Sequence, residues 1–151
     1  MLTRVETPSG DESWTSPRGT LTIRHPAPGV VLFVEKGFLV GDFAAHIKAH
    51  SDRALEESPD ITLFVDAYEL EGYDPEIRNA GSAFLKEHGH KVVAQHMLVR
   101  SRLTKMGLSV VSLMFGGLIK GHHDRNSFDG ELAGSIRSAR SKSGITAAVG
   151  G

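Results

Sequence analysis

Along the chain the apolar period switches repeatedly between two, the mark of strands, and 3.6, the mark of helices. Thr20–His25 alternates around Leu21 and Ile23 and stops at Pro26-Ala27-Pro28-Gly29, a run that suits a hairpin turn. Val30–Val34 is β-branched and apolar, and Gly37–Val40 extends it past a kink at Glu35-Lys36. Asp42 stands at a helix N-cap position before Phe43, Ile47, Ala54 and Leu55, and Pro59 ends that helix. Ile61–Val65 is a short, nearly continuous apolar run of the kind carried by central strands covered on both faces. Asp66–Tyr73 reads as the loop after it. Asp74-Pro75 then reads as the N-cap and first residue of a second helix, with Ile77, Ala80, Gly81, Phe84 and Leu85 on one face and Gly89 at its end.

Lys91–Val99 is the next strand. Ser101 opens a third helix, which carries Leu103, Met106, Val110, Leu113 and Met114 and stops at Gly116-Gly117. Leu118–His122 is a short strand, and Asp124 caps a final helix with Phe128, Leu132 and Ile136 every four residues. The predicted order is β-β-α-β-α-β-α-β-α. This is an α/β domain with a mixed sheet of about five strands, mostly parallel at its centre, and about four helices. At 151 residues the chain is one domain's worth. The folded unit is expected over 20–140, with 1–19 and the small, Gly-rich 141–151 as flexible tails.

Composition removes several functions. Lys and Arg number 17 against 18 Asp and Glu, a formal charge of -1 without the strong basic field of a dedicated nucleic-acid binder. Without cysteine there is no disulfide framework, thiolate zinc site or Cys nucleophile. The start of the chain lacks an apolar signal segment and Val110–Ile119 is too short to span a bilayer, so a cytoplasmic protein is expected. Phosphate-binding and dinucleotide glycine motifs are missing, as is G-x-S-x-G. His46 and His50 share a helix face, but Ile47 stands where H-E-x-x-H needs Glu. The other histidines, His88, His90, His122 and His123 among them, read as surface residues. No enzyme, metal or cofactor is expected.

Four stretches carry a resemblance: VEKGFLVGDFAAHIKAH, DITLFVDAYELEGYDP, KVVAQHMLVRS and DRNSFDGELA. In these, and in element order, residues 20–140 resemble the STAS domain class, and within it the bacterial branch that is sporulation anti-sigma-factor-antagonist-like or CRAL-TRIO-like. The resemblance implies a non-enzymatic signalling module, a monomer or weak homodimer, that docks onto a protein partner through the loop after the central strand. The implied contact residues are Tyr68, Glu69, Glu71, Tyr73, Asp74, Glu76 and Arg78, with Pro75 and Asn79 beside them. The family's Asp-Ser-Ser-Gly pattern is replaced by Glu71-Gly72-Tyr73-Asp74-Pro75, which argues against a Ser/Thr phospho-switch at that position.

The alternative is an apolar-ligand or lipid-binding domain. The third predicted helix holds more apolar residues than one face can bury, with Leu108, Val111 and Phe115 on a second stripe. Membrane or lipid contact through the flanking cations is the lesser possibility. The two readings differ in one structural respect. A docking module has a filled core and exposed Tyr68 and Tyr73, whereas a ligand binder has an apolar pocket beside residues 103–118, with Arg100, Arg102 or Lys105 at its mouth.

Overall fold

The structure is a computed structural model that describes residues 1–9, 11–101, 104–105 and 111–150, with side chains as far as Lys142 in the last helix. Among the described residues, seven strands form one sheet and lie in it in chain order: β1 (Thr3–Glu6), β2 (Glu12–Thr15), β3 (Gly19–Ala27), β4 (Val30–Leu39), β5 (Ile61–Tyr73), β6 (Val92–Leu98) and β7 (Ile119–His122). The pairings from β1 to β4 are antiparallel and those from β4 to β7 parallel. Helix α1 (Phe43–Glu57) joins β4 to β5. Helix α2 (Pro75–His88) and a 3₁₀ turn at Gly89–Lys91 join β5 to β6, and α3 (Arg125–Gly150) follows β7. Between β6 and β7, residues 104–105 and 111–113 are helical.

The strand pattern explains the sequence pattern. Alternate residues of β4 and β5 enter two different cores. Val31, Phe33, Leu63 and Val65 pack with Phe43 and Ala54 of α1 and with Phe84 and Leu85 of α2. Val30, Leu32 and Phe64 pack with Leu98 and Phe128 on the opposite face, where Leu132, Ile136 and Ala139 of α3 join them. A strand covered on both faces has no polar side, so both read as continuous apolar runs. The turn between β3 and β4 rests on Gly29, whose φ of 75° is the left-handed region that favours glycine.

Three expectations need correction. The sheet has seven strands rather than five, because residues 3–6 and 12–15 of the expected N-terminal tail pair into it as β1 and β2. The expected loop Asp66–Tyr73 is the second half of β5. It stays extended because β4 also continues past Glu35-Lys36, giving Lys36↔Glu69, Gly37↔Leu70 and Leu39↔Tyr73, with two irregularities in register. The last helix runs to Gly150, past the expected boundary at 140.

Candidate functional site

A cavity of about 230 Å³ opens between the sheet and the α1–α2 face. Its floor is the inner face of the sheet, with Phe33, Glu35, Leu63, Val65 and Met97; one wall comes from Phe84 and Gly81 of α2, and another from Val111 and Phe115. Mostly apolar side chains converge there because the period of two in the strands and of 3.6 in α2 both point that way. Gly81 leaves room in the middle of α2: a Cβ there would have no heavy atom within 4 Å.

Glu35 is the exception on this floor. It follows Val31 and Phe33 in phase along β4, so its carboxyl is carried to the same face and is only 6% exposed. Among the described residues no hydrogen bond or ion pair reaches it. Burial pushes its pKa up to about 8, with the Asp66 charge adding to the shift. At neutral pH the group is chiefly the uncharged acid, able to donate one hydrogen bond and accept another. Two other polar lining groups are engaged: Ser51 donates to the Ile47 carbonyl at 2.8 Å, and Gln95 to Met97 Sδ at 3.4 Å. At the rim, Lys48 pairs with Asp52 at 2.6 Å, while exposed Arg78 has no ion pair among the described residues.

The sequence-predicted contact residues fall on two faces of the sheet. Tyr68, 37% exposed, lies on the α3 side, with the guanidinium carbons of Arg100 and Arg125 at 5.2 and 5.7 Å from its ring centre. Arg100 Nε donates to the Tyr68 carbonyl at 3.1 Å, and Arg125 forms a two-pronged pair with Asp66. Tyr73, 43% exposed, and Arg78 line the cavity on the other side. Glu69 pairs with Lys36 at 3.3 Å, and Glu71 and Glu76 are exposed. Asp74 occupies the N-cap position of α2, but its carboxylate accepts from the Gly41 N–H at 2.8 Å and makes no cap bond to its own helix.

Among the described residues the cations lining the cavity are Lys48 and Arg78; Arg100 points to Tyr68 instead. Arg102, Leu103, Met106, Leu108 and Val110 lie outside the described residues. In the described part of that segment Leu113 and Met114 are about four-fifths exposed, at 80% and 77%.

Sequence reasoning missed Glu35, whose signal was a carboxyl in phase with Val31 and Phe33. It also missed that histidines far apart in the chain pair. His25 Nε2 and His50 Nδ1 are 2.7 Å apart, and His50 Nε2 bonds Glu12. Nothing local announces a bond across 25 positions. These histidines are part-buried rather than surface residues. Among the described residues no group of three or more His, Cys, Asp or Glu is placed to hold a metal ion.

The architecture is a SpoIIAA-like, that is STAS-like, α/β fold. It is similar to a solved structure of an uncharacterized DUF3478-family protein with a SpoIIAA-like fold from Shewanella loihica PV-4, at a TM-score of 0.60 and 16% identity. That match covers 78% of this chain and 98% of the other. No protein-family model and no curated protein matches the chain. No helix among the described residues is long and apolar enough to cross a membrane.

Proposed function

We propose that this STAS-like domain binds a small, largely apolar molecule in the cavity between the sheet and α2. The observation that carries the reading is a cavity of about 230 Å³ with one buried carboxyl, Glu35, unpartnered among the described residues, on its apolar floor. For comparison, a cavity of roughly 150 Å³ admits benzene. The occupant is therefore a substituted ring or short acyl chain rather than a whole lipid. Glu35 supplies one directional contact, its O–H donating to a carbonyl or hydroxyl oxygen of the ligand. Arg78 at the rim favours a ligand whose outer end is anionic.

Thermal unfolding in the presence of 4-methylphenol and of short-chain carboxylates tests this. A ligand that binds only the folded state raises the midpoint in a saturable way, by about 2.7 kcal/mol of stability at a hundred times its Kd. An unchanged midpoint across both series would remove the proposal.

A second reading, docking of a regulatory protein partner in the cytoplasm, is favoured by Tyr68, an exposed ring between two guanidinium groups. Aromatic and Arg side chains of this kind anchor interfaces. Tyr68→Ala separates it from the ligand reading because Tyr68 does not line the cavity. Partner capture lost in Tyr68→Ala and kept in Gly81→Leu supports docking; capture that survives Tyr68→Ala counts against it.

A further inference from the structure

On the sheet face opposite the cavity, four polar side chains from β6, β7 and α3 form a line. Ser127 Oγ is 2.8 Å from His122 Nδ1, His122 Nε2 is 2.9 Å from His96 Nδ1, and His96 Nε2 is 4.0 Å from a Glu131 carboxylate oxygen. The line runs from an exposed hydroxyl to a buried imidazole. His96 is stacked on Phe64 with ring centres 4.9 Å apart, and His122 meets the Phe128 ring edge-on. Packing on two aromatic rings fixes both imidazoles.

The direction of the line follows from its inner end. The Glu131 carboxylate favours a proton on His96 Nε2, which leaves His96 Nδ1 as an acceptor. His122 then donates from Nε2, and its Nδ1 lone pair faces the Ser127 hydroxyl. Burial lowers the pKa of both histidines, so both are neutral bases near pH 7. Ser127 also sits in the first turn of α3. There the Asn126 N–H is taken by Asp124 Oδ1 at 3.0 Å and the Phe128 N–H by the Asp124 carbonyl at 3.2 Å. Among the described residues the Ser127 N–H itself has no acceptor, which leaves a donor beside the hydroxyl at the positive end of a helix dipole.

We propose that Ser127 is an activated nucleophile that takes the acyl group from small activated carboxylic esters, with His122 as its general base and His96 and Glu131 positioning that base. Ser127 Oγ attacks the ester carbonyl carbon and its proton passes to His122 Nδ1. The bond from the carbonyl carbon to the leaving oxygen then breaks, and that oxygen takes the proton from His122. A water repeats the sequence on the Ser127 ester, releasing the carboxylic acid and restoring the hydroxyl. The hydroxyl is reached directly from solvent, which suits a small acyl donor.

The test is 4-nitrophenyl acetate with the full chain, reading nitrophenolate release and locating the acetyl group by peptide mass spectrometry. Acetylation is expected at Ser127, absent in Ser127→Ala and slowed about 100-fold in His122→Gln. Ser127 and Glu131 are surface positions, so Ser127→Ala and Glu131→Gln keep the fold by far-UV circular dichroism. The charged and titratable groups that bear on the two imidazoles are Glu131 on α3, Lys120 on β7 and Lys105 before it, besides the imidazoles themselves. Glu131 favours the protonated forms, so Glu131→Gln is expected to move the acid inflection of the rate to lower pH. Acetyl on His122 alone, a wild-type rate unchanged in Ser127→Ala, or no adduct at Ser127 would each overturn the proposal.

Discussion

At the scale of single residues, Glu35 makes stability depend on pH between about 4.5 and 8. Its carboxyl has a folded-state pKa of about 8 against 4.5 when free. Between those values the folded protein holds a proton that the unfolded chain has released. Its contribution to stability is therefore full below about pH 4.5 and declines as pH rises towards 8, by about 1.4 kcal/mol per pH unit inside the window. Urea unfolding at pH 5 and pH 8 is expected to show that decline in the wild type and to lose it in Glu35→Gln. Gly81 is the matching steric probe. Gly81→Leu fills open space and removes a helix-interior glycine, so it is expected to raise stability by about 1 kcal/mol or more while abolishing ligand uptake. The carboxyl was legible in the sequence only as a phase: position 35 falls in step with Val31 and Phe33. That the face it joins is hollow was not legible, because the hollow depends on a glycine in α2 meeting strands far away in the chain.

Among the elements, the β1–β2 hairpin and α3 behave differently. The hairpin is held to the body by its ladder to β3, by Trp14 stacked on His46 at 4.0 Å, and by the Glu12–His50–His25 chain. Burial keeps the His25 pKa below its ordinary value of 6.5. The unfolded or undocked chain then takes up a proton more readily than the docked one, so this contact weakens as pH falls below about 6.5. Hydrogen exchange is expected to show residues 3–15 opening ahead of β4 and β5 on acidification, and Trp14→Ala to produce the same opening at neutral pH. Helix α3 instead has a fully buried anchor, Phe128, at its first turn. Phe128→Ala is expected to cost about 3–5 kcal/mol, read as a lower urea midpoint. The sequence made β3 to β7, α1, α2 and α3 readable because each has an apolar face to bury. It hid β1 and β2, whose residues are mostly polar and whose pairing is the only sign of a strand. It hid the second half of β5 for the same reason: Tyr68, Glu69, Glu71 and Tyr73 are exposed, and only the ladder to β4 marks the stretch as a strand.

For the whole molecule, the sheet separates two chemistries. The α1–α2 face carries the cavity with Glu35; the α3 face carries the Tyr68–Arg100–Arg125 cluster and the His96–His122–Ser127 line. The expected contact surface mixed these faces because a strand placed as a loop loses its alternation, and with it the distinction between Tyr68 and Tyr73. Alternation also makes the two faces independently testable, since a substitution confined to one core leaves the other packed.

The most direct test of the central claim, a cavity that takes a small apolar ligand, is a ¹H–¹⁵N NMR titration of the wild type and Gly81→Leu with 4-methylphenol. Saturable shifts at the amides of β4, β5 and α2, with α3 unmoved and no shifts in Gly81→Leu, are the predicted result. Shifts that fail to saturate, or that persist unchanged when the cavity is filled, would contradict it.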